Sequence, residues 1–205
     1  MSADLGARTK EAKAISEQSR AVVRSIVKGD TPEDRIRQRC VIATGDPAFA
    51  EFMRFNNEPV KAGMEAIMRG ATIFTDIRMA QVGITKMGHK CEVRCVLEAG
   101  EDISEKTGAT RTSAGFMALE DELDGAIIVI GNAPSAALTV CGMIEKGAKP
   151  ALLVATPVGF VNAAYSKERV RALEVPSITC VGTRGGTPVA VAVVNELVEI
   201  ANEMV

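Results

Sequence analysis

The chain has 205 residues, 47% hydrophobic and 24% charged, with a formal net charge of −2 at pH 7. That balance excludes a disordered or collagen-like chain and offers nucleic acid or an anionic membrane no basic block to grip; with no Trp and one Tyr, base-stacking platforms have nothing to be built from. Met1 to Lys28 lacks an apolar signal region and no later stretch has the apolar length of a membrane span, which predicts a cytoplasmic protein.

In chain order, the spacing of Ala12, Ile15, Ser19, Val22, Val23 and Ile26 predicts an amphipathic helix over 8–27. Thr31-Pro32-Glu33-Asp34 combines an N-cap, a first-turn proline and two acids, so a second helix starts there. Asp46-Pro47 and Asn57-Glu58-Pro59 repeat the signal, the latter before a helix that carries Val60, Met64, Ile67 and Met68 and ends at Gly70. Five strands follow, at 71–76, 91–96, 125–130, 151–155 and 177–181, three of them almost wholly apolar, as strands covered on both faces are. Helices are predicted at 110–122, 134–146, 162–173 and 187–203. Strand and helix in alternation imply a three-layer α/β fold, a doubly wound and mainly parallel sheet of flavodoxin-like order with extra N-terminal helices. No linker divides the chain, so residues 1–205 are expected to be one domain, with 1–70 packing on the core or on a partner subunit.

Five cysteines, at 40, 91, 95, 141 and 180, form no disulfide framework in a chain without a secretory signal. Cys91 and Cys95 have the spacing of one strand face, which reads as core rather than metal ligation, and no metal site is expected. His89, the only histidine, lies in a polar turn and is expected to be solvated.

Ligands of open parallel sheets bind beyond the carboxyl ends of the strands. Three ends here carry unusual loops, each feeding a helix: Gly131-Asn132-Ala133-Pro134-Ser135, Thr156-Pro157-Val158-Gly159-Phe160 and Gly182-Thr183-Arg184-Gly185-Gly186-Thr187. Glycines allow close backbone approach and helix N-termini present free N–H groups, so a carboxylate or phosphate is the natural guest. None of the loops matches G-x-G-x-x-G or G-x-x-x-x-G-K-[ST], and no G-x-S-x-G elbow is present, so dinucleotide, nucleoside triphosphate and serine-hydrolase chemistry lack their parts.

Several blocks resemble the precorrin-8X methylmutases of cobalamin biosynthesis along nearly the whole chain. They are Ile130-Gly131-Asn132-Ala133-Pro134-Ser135-Ala136, Pro157-Val158-Gly159-Phe160-Val161-Asn162-Ala163-Ala164 with Ser166-Lys167, Thr110-Arg111-Thr112, Gly185-Gly186-Thr187, and Asp76 with Met79 and Gly83. The resemblance implies a flavodoxin-like homodimer that binds a corrinoid and moves a methyl group from C11 to C12 of the ring, consuming no cofactor. It assigns substrate binding to Ser19, Asp76, Thr110 and Arg111, to Asn132, Ala133 and Pro134, to Pro157, Val158, Gly159 and Phe160, and to Gly185, Gly186 and Thr187. Arg111 or Arg184 would grip the carboxylates that fringe such a macrocycle.

The family's proton-donating histidine stands where this chain has Ile42, in Ile42-Ala43-Thr44-Gly45-Asp46-Pro47. Asp46, Thr44, Cys40 and Arg111 are the candidate substitutes, Asp46 if an apolar pocket keeps it protonated. Two functions follow: a methylmutase that relies on positioning and another donor, or a related protein that binds or carries a tetrapyrrole without converting it.

Overall fold

A computed structural model describes residues 9–204; Arg8, the first residue of the predicted opening helix, lies outside the described residues. The described residues open with a helical hairpin, α1 (Lys10–Ile26) and α2 (Pro32–Thr44), then a short α3 (Phe49–Phe52), a strand β1 (Met53–Asn56) and α4 (Pro59–Met68). Then come β2 (Ile73–Thr75), α5 (Arg78–Gly83), β3 (Val93–Cys95), α6 (Glu101–Thr107) and α7 (Arg111–Ala118). The strictly alternating end of the chain is β4 (Ile127–Ile130), α8 (Pro134–Glu145), β5 (Leu152–Ala155), α9 (Ala163–Arg171), β6 (Ser177–Cys180) and α10 (Thr187–Glu203).

The six strands lie in the order β1-β6-β5-β4-β2-β3, all neighbours parallel except β1, which runs antiparallel to β6. Numbered among themselves, the five parallel strands read 2-1-3-4-5, the flavodoxin-like order expected from sequence. Alternate strand residues feed two cores. Ile73, Ile127, Val129, Leu152, Val154 and Ile178 face α2, α4 and α10, while Phe74, Ile128, Ile130, Leu153 and Ala155 face α7, α8 and α9. Residues of β4 and β5 are buried throughout, which is why those runs are apolar without alternation.

Of the three N-terminal cap-plus-proline signals one acts in full; Asp46-Pro47 forms a turn, Asp46 Oδ1 accepting from Ala48 N, and the single-turn α3 that follows has Ala48 at its N-cap. Thr31 forms a full capping box with Asp34, and Pro32 opens α2. Pro59 also opens α4, but Asn57 is not its cap: that side chain donates to the carbonyls of Leu173 and Val175, and the N-cap position falls to Glu58 in a left-handed conformation. Residues 53–56, read as part of a helical stretch, form β1; only Met53 is fully buried there, too short a pattern to register. Both α5 and α6 escaped as well, because each is less than two turns long and together they bury only Ala80. The helix expected over 110–122 stops at Ala118 and continues as a 3-10 turn over Glu120–Glu122. Cys91 precedes β3 rather than sharing its face with Cys95.

The hairpin packs α2 on α10 through Ile36, Cys40 and Val41, all buried. Its second attachment is ionic. Glu196 and Glu199 of α10 are almost fully buried, and Arg39 Nη1 reaches both at 2.8 Å. Arg35 Nε meets Glu196 at 2.9 Å and Arg20, from α1, meets Glu199 at 2.8 Å. By contrast, the apolar stripe of α1 is not covered: Ile15, Val22 and Ile26 are each more than half exposed, and only Ser16 and Val23 of this helix are buried.

Removing one partner of a buried ionic cluster leaves the others desolvated and unpaired. Glu196→Ala should therefore cost about 3–5 kcal/mol in urea denaturation, and hydrogen exchange should show α1 and α2 losing protection before the sheet does.

Candidate functional site

The flavodoxin-like order reverses direction between β2 and β4, and a crevice at such a switch point is where these sheets take ligands. Here the crevice is filled from within. Asp76, the residue after β2, has no exposed surface, and its Oδ2 accepts from the backbone N–H groups of Asn132 at 2.7 Å and Ala133 at 2.9 Å. These are the donors that a ligand anion would use at the start of α8. Asp76, predicted to bind substrate, is thus placed as the internal anion of the loop. Its Oδ1 is buried with no hydrogen-bond partner. Burial pushes this carboxyl above its ordinary value of 3.8, against the pull of the Ala133, Asn132, Gly131 and Ile77 N–H groups.

From this point a continuous rim runs along the strand ends. Thr110 caps α7 by accepting from Ser113 N, and its hydroxyl meets that of Ser135 at 2.9 Å, joining α7 to the first turn of α8. Gly131 lies so close to α10 that a Cβ there would sit 2.6 Å from Thr187 Cα. Thr156, after β5, accepts from Gly186 N at 2.6 Å, and its hydroxyl donates back to Gly186 O at 3.3 Å. Gly185 has φ of 148°, and a Cβ there would fall 2.2 Å from Thr156 O, so only glycine allows the two loops to meet. Gly159 N donates to Thr183 O at 3.0 Å.

Within this rim the predicted residues divide by exposure. Asn132, Arg111, Thr110, Val158 and Phe160 face outward, Phe160 with 96% of its surface exposed. Ala133, Pro157, Gly186 and Thr187 are buried, and Pro134, Gly159 and Gly185 lie between. The buried members shape the loops; the exposed ones are available to a ligand.

The rim ends at a second feature. Arg184 crosses to the segment that follows the hairpin, where its guanidinium lies 5.0 Å over the Phe52 ring of α3 and donates to Asp46 Oδ2 at 2.6 Å. Beyond Asp46 a groove of about 440 Å³ opens between α1 and α2, lined by Ile15, Gln18, Ser19, Val22, Val23, Ile26, Val41, Ile42, Gly45 and Pro47. Ile42 and Ser19, separated by 23 positions, thus share one groove, whose walls are mostly aliphatic. The Ser19 hydroxyl donates to Ile15 O within its own helix.

None of the substitutes for the missing donor stands in the setting it needs. Asp46 accepts from Arg184 and, through Oδ1, from Ala48 N, so it lies beside a cation rather than in an apolar pocket. Thr44 donates back to Cys40 O, the Cys40 thiol is fully buried and pushed up by burial, and Arg111 sits at the far end of the rim. Nor is His89 merely solvated. It is half-buried, with Nε2 on Thr85 O and Nδ1 accepting from Cys91 N at 3.1 Å, and it staples the turn before β3. Among the described residues no three His, Cys, Asp or Glu side chains gather as metal ligands do.

Two features escaped the sequence reading, the Arg184–Asp46 bridge and the burial of Lys167, which the sequence showed only as part of a motif. The second had a signal: Lys167 falls on the α9 face shared by Ala163 and Val170, where an apolar residue belongs.

Doubly wound in flavodoxin order, with its strand-end loops joined into one rim, the domain has the form of a small-molecule-binding α/β enzyme. The family model for precorrin-8X methylmutase matches residues 14–200. A cobalt-precorrin-8 methylmutase of Methanocaldococcus jannaschii is 37% identical over 96% of this chain and 98% of its own length, and a precorrin-8X methylmutase of Pseudomonas aeruginosa is 34% identical over 92% and 95%. The crystal structure of the precorrin-8X methylmutase of Thermus thermophilus superposes with a TM-score of 0.86 at 32% identity, covering 94% of this chain and 97% of that one. The chain belongs to the precorrin-8X methylmutase family.

Because the folded Asp76 carboxyl holds its proton above 3.8, where the unfolded one releases it, its contribution to stability is full below that value and is lost as pH rises through the raised one. Between about pH 7 and pH 4, denaturation midpoints of the wild type should therefore rise relative to those of Asp76→Asn as the pH falls.

Proposed function

We propose that the protein catalyses the methyl shift from C11 to C12 of precorrin-8 or its cobalt form, the isomerisation by which its family serves cobalamin biosynthesis. The observation that carries this reading is the unbroken rim of strand-end loops that leads from Thr110 and Ser135 to Arg184 and the α1–α2 groove. A macrocycle fringed with carboxylates needs cations and hydroxyls at its edge and apolar surface against its face. Arg111, Arg184, Thr110 and Ser135 supply the first; Val158, Phe160, Ile15, Val22 and Ile42 supply the second.

The chemistry suits such a site. A sigmatropic methyl shift forms and breaks its bonds within the substrate, so no bond to the protein is required. The protein contributes by holding the ring in a reactive shape and by stabilising charge as it redistributes. The α8 N-terminus, already filled by Asp76, takes no substrate carboxylate, which leaves the arginines as the grip. Ile42 donates no proton, so positioning carries a larger share here than it would with a donor at that place. The aliphatic wall around Ile42 also favours a second reading, a tetrapyrrole carrier that binds without converting.

The whole chain acts as one methylmutase domain, supported by the ionic attachment of the hairpin to α10. The uncovered stripe of α1 supports a homodimer, which sedimentation at micromolar concentration would detect. No helix among the described residues is long and apolar enough to cross a membrane, in keeping with a cytoplasmic enzyme.

The test is to mix the protein anaerobically with precorrin-8 or cobalt-precorrin-8 and follow the visible spectrum and product. Conversion is expected; a bound but unchanged chromophore identifies the carrier, and no binding of either form removes both readings. Ile42→His restores a donor facing the groove and should raise turnover about tenfold or more at unchanged affinity.

A further inference from the structure

Lys167 has no exposed surface. A lysine is rarely buried in this way, since desolvating the ammonium is costly unless its donors are used. Nζ donates to the backbone carbonyl of Arg184 at 2.6 Å and to Cys180 Sγ at 3.6 Å, and the Cys180 thiol donates to the same carbonyl at 3.2 Å. Burial lowers the Lys167 pKa, opposed by the neighbouring Cys180; charged or neutral, Nζ keeps a hydrogen for the carbonyl. An aliphatic residue would fill the space at no desolvation cost, so the polar end is explained by what it holds.

What it holds is the backbone that carries Arg184. This loop contains Gly182, Gly185 and Gly186, all at positive φ, and such a segment has little conformational preference of its own. Its ties at Thr156 and Thr183 fix the residues on either side of Arg184, while Lys167 fixes Arg184 itself from beneath. Above that anchor the guanidinium projects over Phe52 to Asp46, between the groove residues Gly45 and Pro47. Asp46 offers Arg184 the same group that a corrinoid's side chains would offer.

We infer that Lys167 is a positioning residue for substrate: by fixing the Arg184 carbonyl it aims the guanidinium at the mouth of the α1–α2 groove, where Asp46 holds the place of a substrate carboxylate and yields it on binding. This rests on the reading of a polycarboxylate tetrapyrrole as ligand.

The experiment titrates hydrogenobyrinate, the coloured metal-free product, into wild type, Lys167→Met, Arg184→Ala and the double variant, with thermal midpoints and turnover measured alongside. Lys167→Met and Arg184→Ala should each weaken binding about tenfold, with KM raised and kcat largely kept. Because Lys167 acts through Arg184, the double variant should bind no more weakly than Arg184→Ala alone. Wild-type affinity in Lys167→Met, or an equal further loss in the Arg184→Ala background, overturns the inference, the second outcome being that of general loosening. If Lys167→Met does not fold, Asp46→Asn decides: freeing the guanidinium should tighten hydrogenobyrinate binding several-fold, and unchanged or weaker binding overturns the exchange. A wild type that neither binds nor converts a corrinoid overturns this inference together with the proposed function, whereas a binding wild type with an indifferent Lys167 overturns this inference alone.

Discussion

Glu196 and Glu199 stand at the junction on which the site depends. Two carboxylates on one helix, buried beneath α1 and α2, are held in place by Arg20, Arg35 and Arg39. An exclusively apolar contact would let the hairpin slide, since one aliphatic surface accepts many registers. A carboxylate shared by two guanidiniums admits few. The groove wall formed by Ser19 and Ile42 is therefore fixed relative to α10, whose first residue, Thr187, is packed against the strand-end rim. The candidate site spans these two structures, and the ionic cluster sets their spacing.

At the switch point of the sheet the protein uses its own carboxylate where many doubly wound proteins place a ligand's. Asp76 closes the N–H groups at the start of α8 and ties the end of β2 to the end of β4. Thr110, Arg111 and Arg184 remain exposed along the rim. That arrangement suits a broad, flat guest with charges on its periphery better than a compact phosphate.

Much of this was legible in the sequence, and the parts that were not share a physical reason. The five parallel strands and the helices that follow three of them were readable because each is long enough for burial to shape its composition. Four-residue β1 and the short α5 and α6 draw their stability from neighbours, and that leaves little trace in their own residues. The glycine loops could be seen to gather at one edge, but their closure rests on contacts between distant positions, as Gly185 with Thr156 and Arg184 with Asp46 illustrate. Asp76 was singled out by its place in a motif, though motif alone could not tell an internal anion from one that faces a ligand.

The two margins of the sheet bear on how copies of this chain can meet. On one side the antiparallel β1 has four residues, with Arg54 exposed among them; on the other, β3 has three, and its Arg94 lies over Phe74 and is paired with Glu122. Short, charged margins resist the strand-to-strand addition through which open sheets polymerise. Any contact between copies is thereby left to the helices and loops, the surfaces that also carry the rim and the α1–α2 groove.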